Sequence, residues 1–278
     1  MNSRSPIPGG LAADGTAVGS AWQAPAPARD AGEAAARPPR PWGFWATLGW
    51  TALWLFVSVG TGMILLVGIV VVTLIGGWAD GPADAAIQLG ANGLVLGIVA
   101  VVQMPVLMGL TFLLAWIRMP VADYLALRPL GLGETAWGLG ALFALMLAQD
   151  FVTWGLDRPI VSEFMVNAYE TAGFLPLLLL ALLVAAPVVE ELFFRGFMYK
   201  GLAASKVGPV GAILITSAVW AVIHFQYDWY GVGLIFLAGL FLGAVRWRTK
   251  SVALPMVLHA MMNAVATTQT IVVAEGWA

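Results

Sequence analysis

The sequence contains no cysteine, only two histidines and few charged residues. The missing cysteine excludes disulfides, zinc–thiolate sites and thiol nucleophiles. Charged residues make up 10% of the chain and hydrophobic residues 60%, with a mean hydropathy of +0.88. That leaves too little polar surface to cover a water-soluble globule. The formal net charge of -2 offers no positive surplus for a nucleic-acid partner. These shortages predict a protein that is dissolved in a lipid bilayer.

The first 40 residues have no long hydrophobic run. They are rich in Ala, Pro and Gly, carry scattered charges and contain one aromatic residue, Trp22. Such a segment cannot bury enough apolar surface to offset the entropy of ordering its backbone, so we predict a disordered cytoplasmic tail over residues 1–40. It is not a cleaved signal peptide, because no apolar core follows a basic start in the first 30 residues.

The remaining chain consists mainly of long apolar stretches. A helix needs about 20 mostly apolar residues to span a bilayer. The pattern therefore predicts an all-α polytopic bundle of transmembrane helices with about seven spans, at 44–76, 88–117, 134–155, 174–199, 209–226, 230–247 and 252–274. An eighth helix within the long first stretch, or a re-entrant segment, is also compatible with the pattern.

The positive charges are distributed unevenly over the connections between these spans. Only Arg158 falls on one side, whereas the other twelve of the 13 Lys and Arg residues fall on the side of the N-terminus: Arg4, Arg29, Arg37, Arg40, Arg118, Arg128, Arg195, Lys200, Lys206, Arg246, Arg248 and Lys250. Because positive residues accumulate on the cytoplasmic side, this split predicts seven spans in a plasma or inner membrane, with the N-terminus cytoplasmic and the C-terminus external.

The predicted fourth span carries charges between apolar residues, in the segment Val188–Arg195. An ionisable side chain inside a span costs roughly 3 kcal/mol and should face a partner or a wet cavity. Glu191 and Arg195 are one helical turn apart, in the favourable order for an ion pair. Glu190 points about 100° away and is a candidate general base toward water. Anchoring of the helix end at the membrane boundary is an equally compatible interpretation.

Both histidines also fall inside predicted spans. His224 follows Trp220 by one turn in the fifth span, and His259 precedes Asn263 by one turn in the seventh. Imidazole titrates near neutrality, binds metals and makes hydrogen bonds. A single intramembrane histidine more often makes an interhelical hydrogen bond, but two of them together with two glutamates favour a functional site.

These residues carry a family resemblance. Glu190, Glu191 and Arg195 match an EExxxR motif, Trp220 to His224 is similar to an FxxxH motif, and His259 with Asn263 matches HxxxN. In this order the motifs resemble the CPBP family of intramembrane metalloproteases: the type II CAAX prenyl endopeptidases and their lysostaphin-resistance-protein-A-like, bacteriocin-processing or immunity relatives. The resemblance covers residues 174–267, the predicted catalytic core. The predicted tail (1–40) and N-terminal transmembrane helices (41–173) precede it, and residues 268–278 are the end of the last helix.

The resemblance implies catalytic roles for Glu190, Glu191, His224, His259 and Asn263. Glu190, helped by His224, would activate water to attack a peptide bond of a substrate at the membrane, and His259 and Asn263 would stabilise the oxyanion or hold a metal.

The same resemblance implies supporting roles for two residues and raises the question of a metal. Arg195, together with Glu191, would orient the helix end, and Trp220 would preserve the aromatic wall where the family has Phe. A divalent metal such as zinc would be held by Glu190, His224 and His259, although the HExxH pair of helical zinc peptidases is absent.

The predicted spans leave a difficulty of depth. In straight helices Glu190 would lie near the cytoplasmic end of the fourth span, whereas His224 would lie about 24 Å along the fifth. The two side chains would then be too far apart. The family arrangement therefore requires the fifth span to be tilted, broken or begun later, with Gly208 and Gly211 in a re-entrant segment.

Other functions remain open at this point. A non-catalytic immunity or assembly factor could keep the same fold, and a transporter could use Glu190, Asp150 and the histidines as a proton relay. The transporter ranks last because the sequence has no paired repeats. Serine and aspartyl intramembrane proteases are excluded, since the chain has neither a GxSG loop nor a GxGD companion for Asp228.

Overall fold

The structure is a computed structural model in which residues 39–78, 81–82 and 89–277 are described. Apart from its last two residues, the predicted tail lies outside the described part of the chain. We number the helices of the described residues α1 (Phe44–Ile75), α2 (Gly93–Trp116), α3 (Val121–Leu125), α4 (Leu132–Gly155), α5 (Glu163–Glu170), α6 (Leu175–Ala203), α7 (Gly208–Val222), α8 (Trp229–Thr249) and α9 (Ala253–Ala274).

Six of these helices, α1, α2, α4, α6, α8 and α9, are long and apolar enough to cross a membrane. The predicted all-α polytopic bundle is thereby confirmed, and the protein is a multi-pass membrane protein. The fifth predicted span corresponds to α7, which is apolar but has only 15 residues. At 1.5 Å per residue α7 is about 22 Å long, shorter than the hydrocarbon core of a bilayer.

Helix α1 shows why the surrounding solvent must be lipid. None of its most apolar stretch is buried inside the protein. Large side chains such as Phe56, Ile64 and Val72 are exposed along its length. Monomeric soluble proteins rarely expose contiguous apolar patches of this extent, whereas hydrocarbon tails solvate them well.

Helix α6 is the central helix of the bundle. Half of its most apolar stretch is buried. Phe193, near its middle, stacks on Trp54 of α1 with ring centroids 4.0 Å apart, and Phe197 stacks between Phe193 and Tyr124 of α3. This aromatic column attaches the second half of α6 to the N-terminal helices and so positions the charged residues that precede it.

Helices α7 and α8 form a closely packed antiparallel pair. A Cβ atom on Gly239 would lie 2.9 Å from the side chain of Ser217, and one on Gly243 would lie 2.9 Å from that of Ile213. Both contacts are too short for any residue but glycine. Small residues four positions apart therefore bring the two backbones together, as in other membrane helix pairs.

Polar contacts gather at two opposite ends of the bundle. At one end, which we call the cationic end, a single cavity is lined by Arg128, Lys200, Arg246 and Lys250. At the other end Arg158 pairs with Asp228, and Tyr169 donates to Glu275. Four of the cations counted on the N-terminal side of the sequence thus lie together in space, whereas Arg158 pairs with Asp228 at the other end.

The positive-inside rule predicts that the cationic end is cytoplasmic and the C-terminus external. Because the chain has no cysteine, single cysteines can report this directly. In intact cells we expect a membrane-impermeant maleimide to label Trp277→Cys, and to label Lys206→Cys only after lysis. Equal labelling of both positions before lysis would contradict the prediction that three helices, α7 to α9, cross the membrane between residues 206 and 277.

Candidate active site

Helix α6 contains a widened turn whose cause is a proline. Residues Ala181–Ala185 form a π-helical segment, in which the N–H of Ala186 donates to the carbonyl of Ala181, five residues back. Pro187 follows directly. A proline inside an α-helix has no N–H, and its ring clashes with the carbonyl four residues earlier. The wider π-turn relieves this clash within a continuous helix.

The π-turn leaves one carbonyl for a side chain to satisfy. In its i to i+5 register, the carbonyl of Leu182 would accept from residue 187, which is the proline without an N–H. Instead Asn263 of α9 donates from Nδ2 to this oxygen at 2.8 Å. The predicted site residue Asn263 therefore closes a gap in the backbone of α6 and ties α9 to the turn before the glutamates.

A second π-helical segment, Leu192–Met198, lies just after the glutamates, and all of its side chains are buried. The N–H of Tyr199 donates to the carbonyl of Phe194, five residues back, and so passes over the carbonyl of Arg195. Nε of Arg246 on α8 donates to that free carbonyl at 2.9 Å. Each π-segment is thus joined to another helix by a polar side chain.

The predicted ion pair between Glu191 and Arg195 is present and wholly buried. Nη1 of Arg195 lies 2.7 Å from Oε1 of Glu191, and both side chains have no exposed surface. The same Oε1 lies 3.0 Å from Nδ1 of His259. Nη2 of Arg195 donates to the carbonyl of Gly239, 3.3 Å away. These contacts hold α6, α8 and α9 together through one pair of charges.

Glu190 points away from this pair and toward α7, where Nε1 of Trp220 donates to its Oε2. The expectation that Glu190 lies near a helix end is wrong, because α6 continues to Ala203. Glu190 lies about 20 Å before that end, and Trp220 lies about 18 Å after the start of α7 at Gly208. Since the two helices run antiparallel from one short turn, the residues meet at equal depth. A late or broken start of α7 is not needed.

His224 lies one turn beyond Trp220, where α7 has just ended. Its Nδ1 is 2.7 Å from the carbonyl of Trp220. A carbonyl only accepts, so Nδ1 carries the proton, and Nε2 of the neutral ring keeps its lone pair. His259 is held in the same way, because its Nδ1 faces a carboxylate. Both histidines therefore present Nε2 to an incoming group.

Trp220 contacts four of the predicted site residues. In addition to its hydrogen bond to Glu190, its ring lies edge-on to His224 and His259, with centroids 5.2 and 5.3 Å away. The guanidinium carbon of Arg195 lies 4.5 Å from the centre of the indole. The prediction of an aromatic wall missed the hydrogen bond that Trp220 donates to Glu190. The phenylalanine of the family motif has no N–H and could not make this bond.

Sequence reasoning missed Tyr227, which lies between α7 and α8. Its ring is near His224, with centroids 6.5 Å apart, and packs against Phe164. Burial, together with the smaller effect of the negative charge of Glu190, raises the pKa of Tyr227 to about 12. The phenol therefore remains a neutral hydrogen-bond donor near His224. The only feature of the sequence that could have indicated a role for Tyr227 is its position about one turn after His224.

The described residues contain no group of three His, Asp or Glu side chains placed to hold one metal ion. Glu190, His224 and His259 each contact Trp220, but they do not form such a group. The zinc site therefore stays a prediction from the family resemblance, and no step of the chemistry below depends on a metal.

Asp150, which the transporter hypothesis requires, is bound elsewhere. Its Oδ2 accepts from Nε2 of Gln269 on α9 at 2.7 Å. Neighbouring polar residues of α4 bond to α8, including Thr153, which is 2.7 Å from the hydroxyl of Tyr230. None of these hydrogen bonds reaches the glutamates, so the described residues do not form the relay from Asp150 to Glu190.

The contact between Asn263 and the proline turn predicts a coupled pair of substitutions. Asn263→Leu should lower the free energy of unfolding by about 1–2 kcal/mol, because the carbonyl of Leu182 loses its donor. In a Pro187→Ala background, the restored N–H can serve this carbonyl, and the cost of Asn263→Leu should fall to less than half. Reversible unfolding in micelles measures both.

Thr267→Val is the matched control for this cycle. Thr267 lies one turn after Asn263 on α9, and its buried hydroxyl has no partner among the described residues. Its removal should leave stability unchanged. An equal cost of Asn263→Leu in both backgrounds would contradict the role that we assign to the proline.

Comparison with known protein families finds a match that covers the site described above. Residues 172–265 match the family model described as type II CAAX prenyl endopeptidase Rce1-like. This segment includes all seven predicted site residues, from Glu190 to Asn263, and leaves out α1 to α5. No curated protein and no solved structure matches the chain significantly. The family resemblance is thereby confirmed over residues 172–265, which are similar to the Rce1-like type II CAAX prenyl endopeptidases.

Proposed function

We propose that the protein is an intramembrane endopeptidase that hydrolyses a peptide bond of a membrane-associated substrate, CAAX-like or carrying a leader. The observation that carries the proposal is the separation of the two glutamates. Glu191 is neutralised and buried by Arg195, whereas Glu190 is partly exposed and forms no salt bridge with a described residue. Only Glu190 is therefore available to take a proton from water.

The proposed chemistry begins with Glu190 as the general base. Glu190 removes a proton from a water molecule while the water oxygen attacks the carbonyl carbon of the substrate. The carbonyl oxygen becomes an oxyanion. Glu190 then returns the proton to the amide nitrogen, the carbon–nitrogen bond breaks, and the products are a carboxylic acid and an amine, which exchange one proton to become a carboxylate and an ammonium group. Atoms and charge balance without a further reactant.

Neighbouring side chains have distinct roles in this proposal. Nε2 of His224 accepts a hydrogen bond from the water and orients it toward the carbonyl. The neutral phenol of Tyr227 and, when its ring is protonated, Nε2 of His259 donate to the oxyanion. Glu191 acts through His259 as a positioning residue, and Asn263 holds the turn that precedes the glutamates.

Two features support a substrate at the membrane. Residues 172–265 are similar to a family of prenyl endopeptidases. Large apolar side chains near the site, Val222 and Phe225, are 62% and 84% exposed. An apolar anchor on the substrate can therefore approach along the exposed apolar surface that flanks His224.

The alternative is a non-catalytic immunity or assembly factor on the same fold. The buried pair of Glu191 and Arg195 favours this alternative in one respect, since a purely structural role would explain it fully. The peptidase hypothesis gives Glu190, His224 and Tyr227 roles in the chemistry that the alternative does not require, so these residues distinguish the two hypotheses.

The first experiment compares the purified wild type with Glu190→Gln on a quenched farnesylated CAAX-type peptide, its unprenylated twin and a peptide library, with and without zinc. We expect cleavage to fall at least a hundredfold in Glu190→Gln, because removal of a general base costs about 10²–10⁴ in rate. The thermal melt should remain that of the wild type.

Glu134→Gln is the matched control, since Glu134 is an exposed glutamate in the first turn of α4. It should cleave at the wild-type rate. If the folded wild type cleaves no peptide better than Glu190→Gln, the binding or immunity role replaces the peptidase.

Trp220→Phe tests the hydrogen bond that distinguishes this chain from the family motif. The substitution retains an aromatic ring and removes the donor to Glu190. We expect kcat to fall about tenfold with little change in KM, because a hydrogen bond to a charged group contributes about 1.5–3 kcal/mol. Trp154→Phe, on an exposed tryptophan of α4, should change neither constant. An unchanged kcat in Trp220→Phe would show that the indole N–H does not position the base.

A further inference from the structure

The cationic end of the bundle contains a cavity that the proposed peptidase does not use. It has a volume of about 460 Å³ and lies among α3, the turn between α6 and α7, and the end of α8. Four cations line it, Arg128, Lys200, Arg246 and Lys250, against one acid, Asp123. The cavity therefore has an excess of three positive charges.

Arg246 is the unusual member of this set. Only 3% of its surface is exposed, whereas cations at the ends of membrane helices ordinarily extend toward water. Nε donates to the carbonyl of Arg195, and the ring of Tyr199 lies 5.0 Å from the guanidinium carbon. Nη1 and Nη2 have no acceptor among the described residues and are not sealed from the cavity.

A buried guanidinium without an anion is costly, because the lost hydration is not replaced by a counter-charge. The salt bridges among the described residues include none of the four cations of the cavity. An anion in the cavity would therefore supply the missing acceptor. A phosphate group suits the fork of two Nη groups, since guanidinium and phosphate form paired hydrogen bonds.

The walls of the cavity are held in place by hydrogen bonds between loops. The N–H of Val252 donates to the carbonyl of Ala126, and the hydroxyl of Ser251 donates to the carbonyl of Arg128, at 3.1 and 3.0 Å. These bonds join the loop before α4 to the turn before α9. The cations that these loops carry, Arg128 and Lys250, are therefore fixed on one side of the cavity, with Lys200 on another.

We propose that this cavity binds a phosphate-type anion, with Arg246 as the central ligand and Arg128, Lys200 and Lys250 around it. The anion is either the head group of an anionic phospholipid at the membrane surface or a soluble phosphate. The site is separate from Glu190, which lies about 15 Å before Lys200 along α6, and it does not depend on the peptidase activity.

The test measures binding to the full-length protein in neutral detergent by titration calorimetry. The probes are short-chain phosphatidylglycerol, short-chain phosphatidylcholine as the zwitterionic control, and inorganic phosphate. We expect phosphatidylglycerol or phosphate to bind, and Arg246→Gln to raise the Kd about tenfold, as expected for the loss of charge-assisted hydrogen bonds. Phosphatidylglycerol that phosphate cannot displace would identify the lipid as the source, and binding of phosphate alone the soluble anion.

Arg248→Gln is the matched control. Arg248 lies on the same helix and at the same end, but it is exposed, stacks on Trp137 and does not line the cavity. Its Kd should equal that of the wild type. If Arg248→Gln weakens binding of the probe as much as Arg246→Gln does, or if Arg246→Gln leaves the Kd unchanged, the proposal is overturned in favour of general attraction to a basic surface.

A second variant keeps the test valid if Arg246→Gln does not fold. Arg128→Gln removes an exposed cation from a loop, so it should fold and bind the same probe more weakly than the wild type does. Wild-type affinity in Arg128→Gln would overturn the proposed ligand set.

Discussion

The buried pair of Glu191 and Arg195 is the interaction on which the arrangement of the second half of the chain depends. Two charges without exposed surface are expensive in a membrane protein. Their cost is offset by contacts that belong to other helices: the imidazole of His259, the carbonyl of Gly239 and the indole of Trp220. A charge pair of this kind has few alternative partners in lipid, so it specifies which faces of α6, α7, α8 and α9 meet. Oε2 of Glu191 and Nε of Arg195 still have no partner among the described residues, which is more consistent with selection for geometry than for stability alone.

Much of the fold follows from hydropathy, because the backbone in lipid has to make its hydrogen bonds within each helix. The predicted spans 44–76 and 252–274 differ from α1 and α9 by one residue at an end. The exception is informative. The fourth span is predicted to end at residue 199, and its charges at Glu190, Glu191 and Arg195 are compatible with an anchor at the membrane boundary. Aromatic packing around Phe193 and Phe197 instead buries that segment, and α6 continues to Ala203. A hydropathy scale scores Arg195 as a polar residue and ignores the bonds to Glu191 and Gly239 that allow it to be buried.

The site residues could be identified from the motifs, but their grouping could not. Spacing alone predicts that Glu191 and Arg195 are neighbours on one face, since both belong to one helix and are four residues apart. The contact between Glu190 and Trp220 depends on where the turn between α6 and α7 lies, which hydropathy locates only to within a few residues. Tyr227 and Arg246 were missed for different reasons. Tyr227 belongs to no motif, and Arg246 was counted only as one of the cations that indicate topology, although its side chain is turned inward.

The proline turn of α6 also acts as a register device. A π-turn contains one residue more than an α-helical turn, and each residue rotates the following side chains by about 100°. If α6 were regular from residue 175 onward, every side chain after the turn would move by one position. Glu190 would then occupy the place of Glu191, and Val189 that of Glu190, so that Glu190 would face His259 and a valine would face Trp220. Pro187 and Asn263 together therefore preserve the distinction between two adjacent glutamates of identical chemistry. A single-residue deletion between 181 and 185 would leave the downstream frame intact, whereas a deletion just after the turn would put Glu191 in the place of Glu190 and Leu192 in the place of Glu191.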